Sequence, residues 1–494
     1  MNEVRYNLSD RIPFAEVTYT LPAQRFAVSC AISVEETLPI VSEFSIRLVY
    51  SCGSVTPSQL QSFFGFSDRE TTIVIRSLLD ERLVRWEDES ITLTPYALAK
   101  FLESYDGVPR CVRIKEWSGD AIFELVSYSP IDKKKLSPTT ATLPIPLQAG
   151  EADREARTTY WAERSFQEHF QTIVAKRDKM QIYKISEMEP KDRLSVPLTC
   201  TFMISLDGQN EITRSLPDQD LEQRPDITKA ISDSLAGTAK TGNDGIVSAF
   251  KMFGAWNAAQ FFAVGGFRLE RFLDLVHVVK ANPFVEGVMP ITGSLLLAEN
   301  RKFLRERLAL IAELGNAAHA EHHASARIYW LTPDVPFWGR TLSTRSFGSD
   351  LRRLMNSSLA AEQSQMSSEE QDLKSPLVRS FIQPGRLPDT RSRRAYSEGI
   401  PGSAALRNKV LDGKVEVLWM PGRFMCMLYH YQTDHAVPVP VGFFSVAEPQ
   451  LLAAQQFFID HVFSQQGTFD LKNSDKGDGK NIDAELAKVR QELS

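Results

Sequence analysis

Cysteine is scarce in this chain: Cys30, Cys52, Cys111, Cys200 and Cys426 are the only five in 494 residues. They are widely spaced and odd in number, which fits buried thiols in a reducing compartment better than a disulfide framework. Long apolar runs are also missing. The best, Ala255 to Gly266, is shorter than the roughly 18 to 20 residues a bilayer requires and carries polar side chains, so no membrane contact is expected. The stretch MNEVRYNLSDRIPF has no apolar run behind a basic start, so a secretory signal is not expected and the chain reads as cytoplasmic. Positive charge is not in excess either. A formal net charge of -6 gives no overall attraction to nucleic acid, and any such role must come from a local patch. With 26 glycines and 26 prolines the chain is neither fibrous nor wholly disordered.

Catalytic and cofactor motifs are equally sparse. In HAEHHA the histidines His319, His322 and His323 would place two imidazoles on one helix face beside Glu321, a weak candidate for zinc. The HExxH pattern of metalloprotease helices is absent, and a solvated helix end explains these residues without metal. GTAKTGNDG, from Gly237 to Gly245, lacks GxxxxGK[ST] and reads as a loop, and the pair Gly265-Gly266 is no dinucleotide fingerprint. No cofactor and no metal are expected.

What is present is a compact unit around IVIRSLLDERLVRWEDESITLTPYAL, Ile73 to Leu98. Leu38 to Ser51 carries the spacing of a buried helix that stops near Gly53. Thr56-Pro57-Ser58-Gln59 then gives an N-cap hydroxyl, a proline at the first helical position and a capping-box glutamine, and Ser67-Asp68-Arg69-Glu70 repeats the signature. Next the period changes from 3.6 to 2. Leu83 to Trp86 and Ser90 to Leu93 read as strands joined by the turn Glu87-Asp88-Glu89, and Thr94-Pro95 opens one more helix.

Helix, helix, helix and a two-stranded hairpin, with the phrase LLDERLVRWEDESITLTPYALAKF, resembles the winged helix-turn-helix domains of prokaryotic DNA-binding proteins over about residues 36–105. The resemblance implies that Arg69, Thr72 and Arg76 face DNA from the recognition helix. The local charge opposes this: from Leu38 to Ser104 there are six basic residues against nine acidic ones, and an acidic hairpin tip is repelled by phosphate. A protein-docking role for the domain therefore stands beside DNA binding.

The expected organisation is α+β and multi-domain, an N-terminal winged helix followed by a larger mixed α/β domain. A strand lead-in at 1–35 precedes a winged-helix domain with trailing strands at 36–130, then a linker at 131–150 and a mixed α/β domain at 151–354. A composition shift marks 355–405 as a flexible basic loop, 406–466 completes the α/β domain, and 467–494 is a polar tail whose last helix could dock a partner. Arg340, Arg345, Arg352 and Arg353, followed by Arg391, Arg393 and Arg394, belong to a stretch from Arg340 to Lys409 with twelve basic and seven acidic residues. Such a local reversal of sign is what a phosphate-binding surface requires.

The order of parts is similar to prokaryotic proteins that join a winged helix to a phospholipase-D-like nuclease fold. That family's site needs HxK followed by Asp, an imidazole to attack phosphate and a lysine to neutralise it. Here Lys280 follows His277 at the wrong spacing, so the resemblance implies a scaffold without the catalytic motif. The function expected is a non-catalytic nucleic-acid-binding component that recruits or regulates other factors, with anti-phage defence, mobile-element biology or transcription as the setting the resemblance implies. DNA and protein partners are both expected. The alternatives are a nuclease with a site dispersed over residues such as His277, Glu313, His430, Asp434 and His435, and a winged-helix adaptor that binds proteins alone.

Overall fold

The structure is a computed structural model and describes residues 11–103, 110–132, 145–147, 157–174, 180–206, 209–217, 219–238, 242–254, 262–263, 266–281, 288–314, 327–362, 378–387, 390–472 and 480–494. Helices and strands are mixed throughout. The chain divides into two compact units, a larger one from Met1–Pro22, Lys134–Gly150 and Leu194–Ser494 and a smaller one from Ala23–Lys133 and Glu151–Arg193.

In the smaller unit the end of strand β1 (Arg11–Thr37) leads into α1 (Ile40–Cys52), β2 (Ser54–Val55), α2 (Pro57–Phe64), α3 (Asp68–Asp80), β3 (Val84–Glu87), β4 (Ser90–Leu93) and α4 (Pro95–Glu103). Both capping boxes form. Gln59 N–H donates to Thr56 Oγ1 at 3.3 Å while Thr56 N–H donates to the Gln59 side-chain oxygen Oε1 at 2.9 Å. Ser67 and Glu70 make the same reciprocal pair at 3.3 and 2.8 Å, which satisfies N–H groups that a helix start leaves open. The strands order as β2-β4-β3, and the three helices and the sheet close over a core that includes Ile46, Val49, Leu60, Ile75, Leu78 and Ile91. Beside this core, β5 (Arg110–Glu124) pairs antiparallel with Ala23 to Thr37 of β1, and α5 (Thr158–Glu168) buries Ala162, Ser165 and Phe166.

The larger unit holds β6 (Ile145–Pro146), the end of β7 (Met180–Ser205), β8 (Ile212–Ser215), α6 (Pro225–Ala236), α7 (Ile246–Met252), β9 (Phe262–Ala263), β10 (Gly266–Phe267) and α8 (Leu269–Ala281). After these come β11 (Val288–Thr292), α9 (Ala298–Leu314), β12 (Ile328–Leu331), α10 (Ser343–Glu362), β13 (Val378–Ile382), α11 (Thr390–Gly399) and β14 (Ser403–Ala405). Then follow β15 (Val415–Met420), β16 (Phe424–Tyr431), β17 (Val439–Ser445), α12 (Glu448–Phe457), β18 (Phe469–Asp470) and α13 (Asp483–Leu493). Its main sheet has the order β11-β17-β16-β15-β12-β13-β14-β18, parallel only at β12/β13 and β13/β14. Every residue of β12, β13, β15 and β17 is buried, as expected of strands covered on both faces. Side chains alternate accordingly. Trp330 and Leu418 face a cluster with Phe347, Leu351 and Leu304. On the other face Tyr329 and Trp419 meet Phe458 and Phe463, with Trp419 stacked on Phe458 at 5.0 Å.

Several expectations are corrected here. Residues 355–405 are not one flexible loop: among the described residues they carry the end of α10, then β13, α11 and β14. Composition misled because Arg379, the second residue of VRSFI, is buried and held by Asp470 at 3.0 Å and Glu485 at 2.8 Å, so a charge that reads as solvated is internal. The lead-in at 1–35 is not separate either, because β1 is divided between the two units at residues 22 and 23. Within the expected linker, Ile145 and Pro146 pair in parallel with Tyr19 and Thr20. The helix expected to open the second domain instead belongs to the smaller unit. The apolar face of α13 is not open to a partner, since Ile482, Leu486 and Val489 are buried and Glu485 binds Arg379.

Candidate nucleic-acid interface

Helix α3 sorts its residues cleanly. Thr71, Ile75 and Leu78 point into the core of the smaller unit, which leaves Arg69, Thr72, Ile73 and Arg76 exposed on the opposite face at helical spacing. Neither Arg69 nor Arg76 has an ion-pair partner among the described residues. Thr72 Oγ1 donates to the Asp68 carbonyl at 2.8 Å, which orients the hydroxyl and leaves its oxygen able to accept.

The surroundings are less favourable. Asp68 and Glu70 occupy the first turn of α3, and the Ser67 N–H and hydroxyl hold the Glu70 carboxyl below the usual carboxylate range. Arg85 on β3 is turned toward Glu87 at 3.7 Å, and the hairpin tip carries Asp88, in the left-handed region at φ 55°, next to Glu89. The basic stripe is thus bordered by carboxylates. Large apolar side chains are also uncovered: Ile40 is 74 % and Phe44 50 % exposed on α1, and Leu102 is 73 % exposed on α4.

A second basic surface lies in the larger unit, where α10 and α11 pack together. Gly348 of α10 lies against the end of α11 and the turn after it, where a Cβ would stand 3.2 Å from the Gly399 carbonyl oxygen and 2.7 Å from Pro401 Cδ. Arg345, Arg352 and Arg353 are exposed on α10, with Arg353 only 3.8 Å from Asp350. On α11, Arg394 pairs with Glu398 at 2.9 Å and the half-buried Arg393 lies over the Phe469 ring. Arg340 is half-buried ahead of α10, and the side chain of Arg391 lies outside the described residues. Other members of the cluster are engaged internally. Arg379 holds Asp470 and Glu485, Lys409 binds Asp334 at 2.8 Å, and burial draws the Arg386 guanidinium below its ordinary pKa.

No family model matches the chain, and neither a curated protein nor a solved structure does.

His319, His322 and His323 lie outside the described residues, as do the side chains of His277 and Glu313. The other residues of the dispersed nuclease site are not brought into one constellation. His430 is in the sheet core, whereas Asp434 and His435 line a surface cleft. In that core, Glu416 on β15 is fully buried and accepts from Trp330 Nε1 at 3.0 Å and Trp338 Nε1 at 3.1 Å, with His430 Nε2 at 3.0 Å. Phe337, held at φ 64° in the loop after β12, immediately precedes Trp338. The imidazole borders a cavity of about 20 Å³, room for about one water and no substrate. The legible signal for this cluster was a single carboxylate in an otherwise apolar strand, VEVLWM, because a buried charge must be paired.

Proposed function

We propose that the smaller unit is a winged helix and that the protein is a non-catalytic nucleic-acid-binding component, with α3 as its recognition helix, that recruits or regulates other factors. The observation that carries this reading is the exposed stripe Arg69, Thr72 and Arg76. In winged helices this face enters the major groove, where arginine forks and hydroxyls reach base edges and phosphates. The exposed arginines of α10 and α11 offer a second phosphate-binding surface. With carboxylates beside the stripe, binding is modest in strength and steeply salt-dependent.

Fluorescence anisotropy with random duplex DNA across a salt series tests it. Arg69→Ala with Arg76→Ala is expected to weaken binding and flatten the log–log salt slope by about two, one for each lost phosphate contact. Changing Arg345, Arg352 and Arg353 to Ala separates the contribution of α10. If the intact chain binds nothing at low salt, the reading fails.

A protein-docking adaptor is the second reading, favoured by the uncovered Ile40, Phe44 and Leu102 on an acidic domain. It gains if DNA binding is absent and a partner is released when Phe44 and Leu102 are changed to Ser.

A further inference from the structure

Ile73 is an apolar side chain on the polar face of α3 that folding does not explain. Thr71, Ile75 and Leu78 face the core, whereas Ile73 lies on the opposite side with 57 % of its surface exposed. Its β-branched side chain is also a weak choice for a helix interior, where a stiff χ1 lowers helix propensity below that of Ala or Leu. A single exposed aliphatic residue is ordinary, but the neighbours of this one are not. Arg69 stands one turn before it, Arg76 one turn after it and Thr72 beside it, all exposed on the same face. Two cations therefore bracket one branched aliphatic group. Asp80, exposed one turn beyond Arg76, is repelled by phosphate and ends the stripe.

This arrangement fits a partner that presents an apolar group between electronegative atoms. From Arg69 to Arg76 a helix rises about 10 Å at ~1.5 Å per residue, which matches about three base-pair steps of ~3.4 Å each. Over such a length the major groove offers guanine O6 and N7 to arginine and phosphate or base atoms to threonine. It offers an aliphatic side chain one apolar feature, the C5 methyl group of thymine. We infer that Ile73 is a specificity-determining residue of the α3 interface, packing on a thymine methyl group while Arg69 or Arg76 takes a guanine within the same few base pairs. The inference rests on the reading of α3 as a recognition helix and adds the class of duplex that helix prefers, one in which guanine and thymine adjoin on a strand.

Fluorescence anisotropy of the full chain with an alternating (dG-dT)·(dA-dC) duplex, and with the same duplex carrying deoxyuridine in place of every thymidine, tests it. Uracil differs from thymine only by the missing methyl group and keeps the same hydrogen-bonding edge. The thymine duplex is expected to bind about fourfold more tightly, the weight of one methyl group removed from water. Ile73→Ala should erase that ratio without flattening the salt slope, because no cation is lost; alanine at an exposed helical position preserves the fold. Arg69→Ala with Arg76→Ala should do the reverse, flattening the slope. Equal binding of the two duplexes by the wild-type chain, or a ratio that survives Ile73→Ala, would overturn the inference and leave the α3 reading to stand on its salt slope. Failure to bind either duplex at low salt would overturn both.

Discussion

Gly442→Ala is expected to destabilise the larger unit by roughly 3–5 kcal/mol, a large part of the 5–15 kcal/mol that separates folded from unfolded proteins. Gly442 lies in the middle of β17, opposite Leu428 on β16 and Ile291 on β11. A Cβ placed there would run into the Met427 carbonyl oxygen and stand 2.8 Å from Leu428 Cα, both backbone atoms that cannot turn aside as a side chain would. Accommodation requires the strands to separate, which breaks pairing on both sides. Gly237→Ala is the matched control, since a Cβ there meets nothing within 4 Å and the backbone sits at φ -80°. Urea unfolding followed by tryptophan fluorescence compares the two. A Gly442→Ala midpoint indistinguishable from that of Gly237→Ala would refute the close approach.

Glu416→Leu is expected to cost a similar amount, roughly 3–5 kcal/mol, for a different reason. The substitution fills space but strands the indole N–H groups of Trp330 and Trp338 and the ring nitrogen of His430, all in the dry interior. Glu416→Gln should fall between wild type and Glu416→Leu: its oxygen still accepts from Trp330, but its NH₂ group now faces the Trp338 donor. The order of the three urea midpoints is the check. A Glu416→Leu protein as stable as wild type would mean that the three donors find other partners, and that the carboxylate is not what holds them.

Local features of the smaller unit were readable in the sequence because their partners lie within three or four positions. Thr56 with Gln59, and Ser67 with Glu70, form the reciprocal bonds their spacing predicts, and the switch from period 3.6 to period 2 after Arg82 falls where α3 gives way to β3. The exposed face of α3 follows from the same periodicity. Features closed by distant partners were not readable. Arg379 is interior because of Asp470 and Glu485, and nothing in VRSFIQPGR signals either. Pairing of Ile145 with Tyr19 likewise depends on a strand far upstream. The surface cleft at Asp434 and His435 joins the turn at Asn210, the start of α8 and the end of β16, three segments with no pattern in common until they meet.

Strands β15, β16 and β17 are neighbours both in the chain and in the sheet, whereas β12 reaches β15 only after α10, β13, α11 and β14 have intervened, and β13 and β14 must each be delivered by a crossover. Closing a short loop takes less entropy than closing a long one, so the meander is the segment able to pair earliest and to serve as the template for the rest. Gly442 lies inside that template. Gly442→Ala is therefore expected to slow refolding as well as to hasten unfolding, and the refolding arm of a stopped-flow urea series is the check.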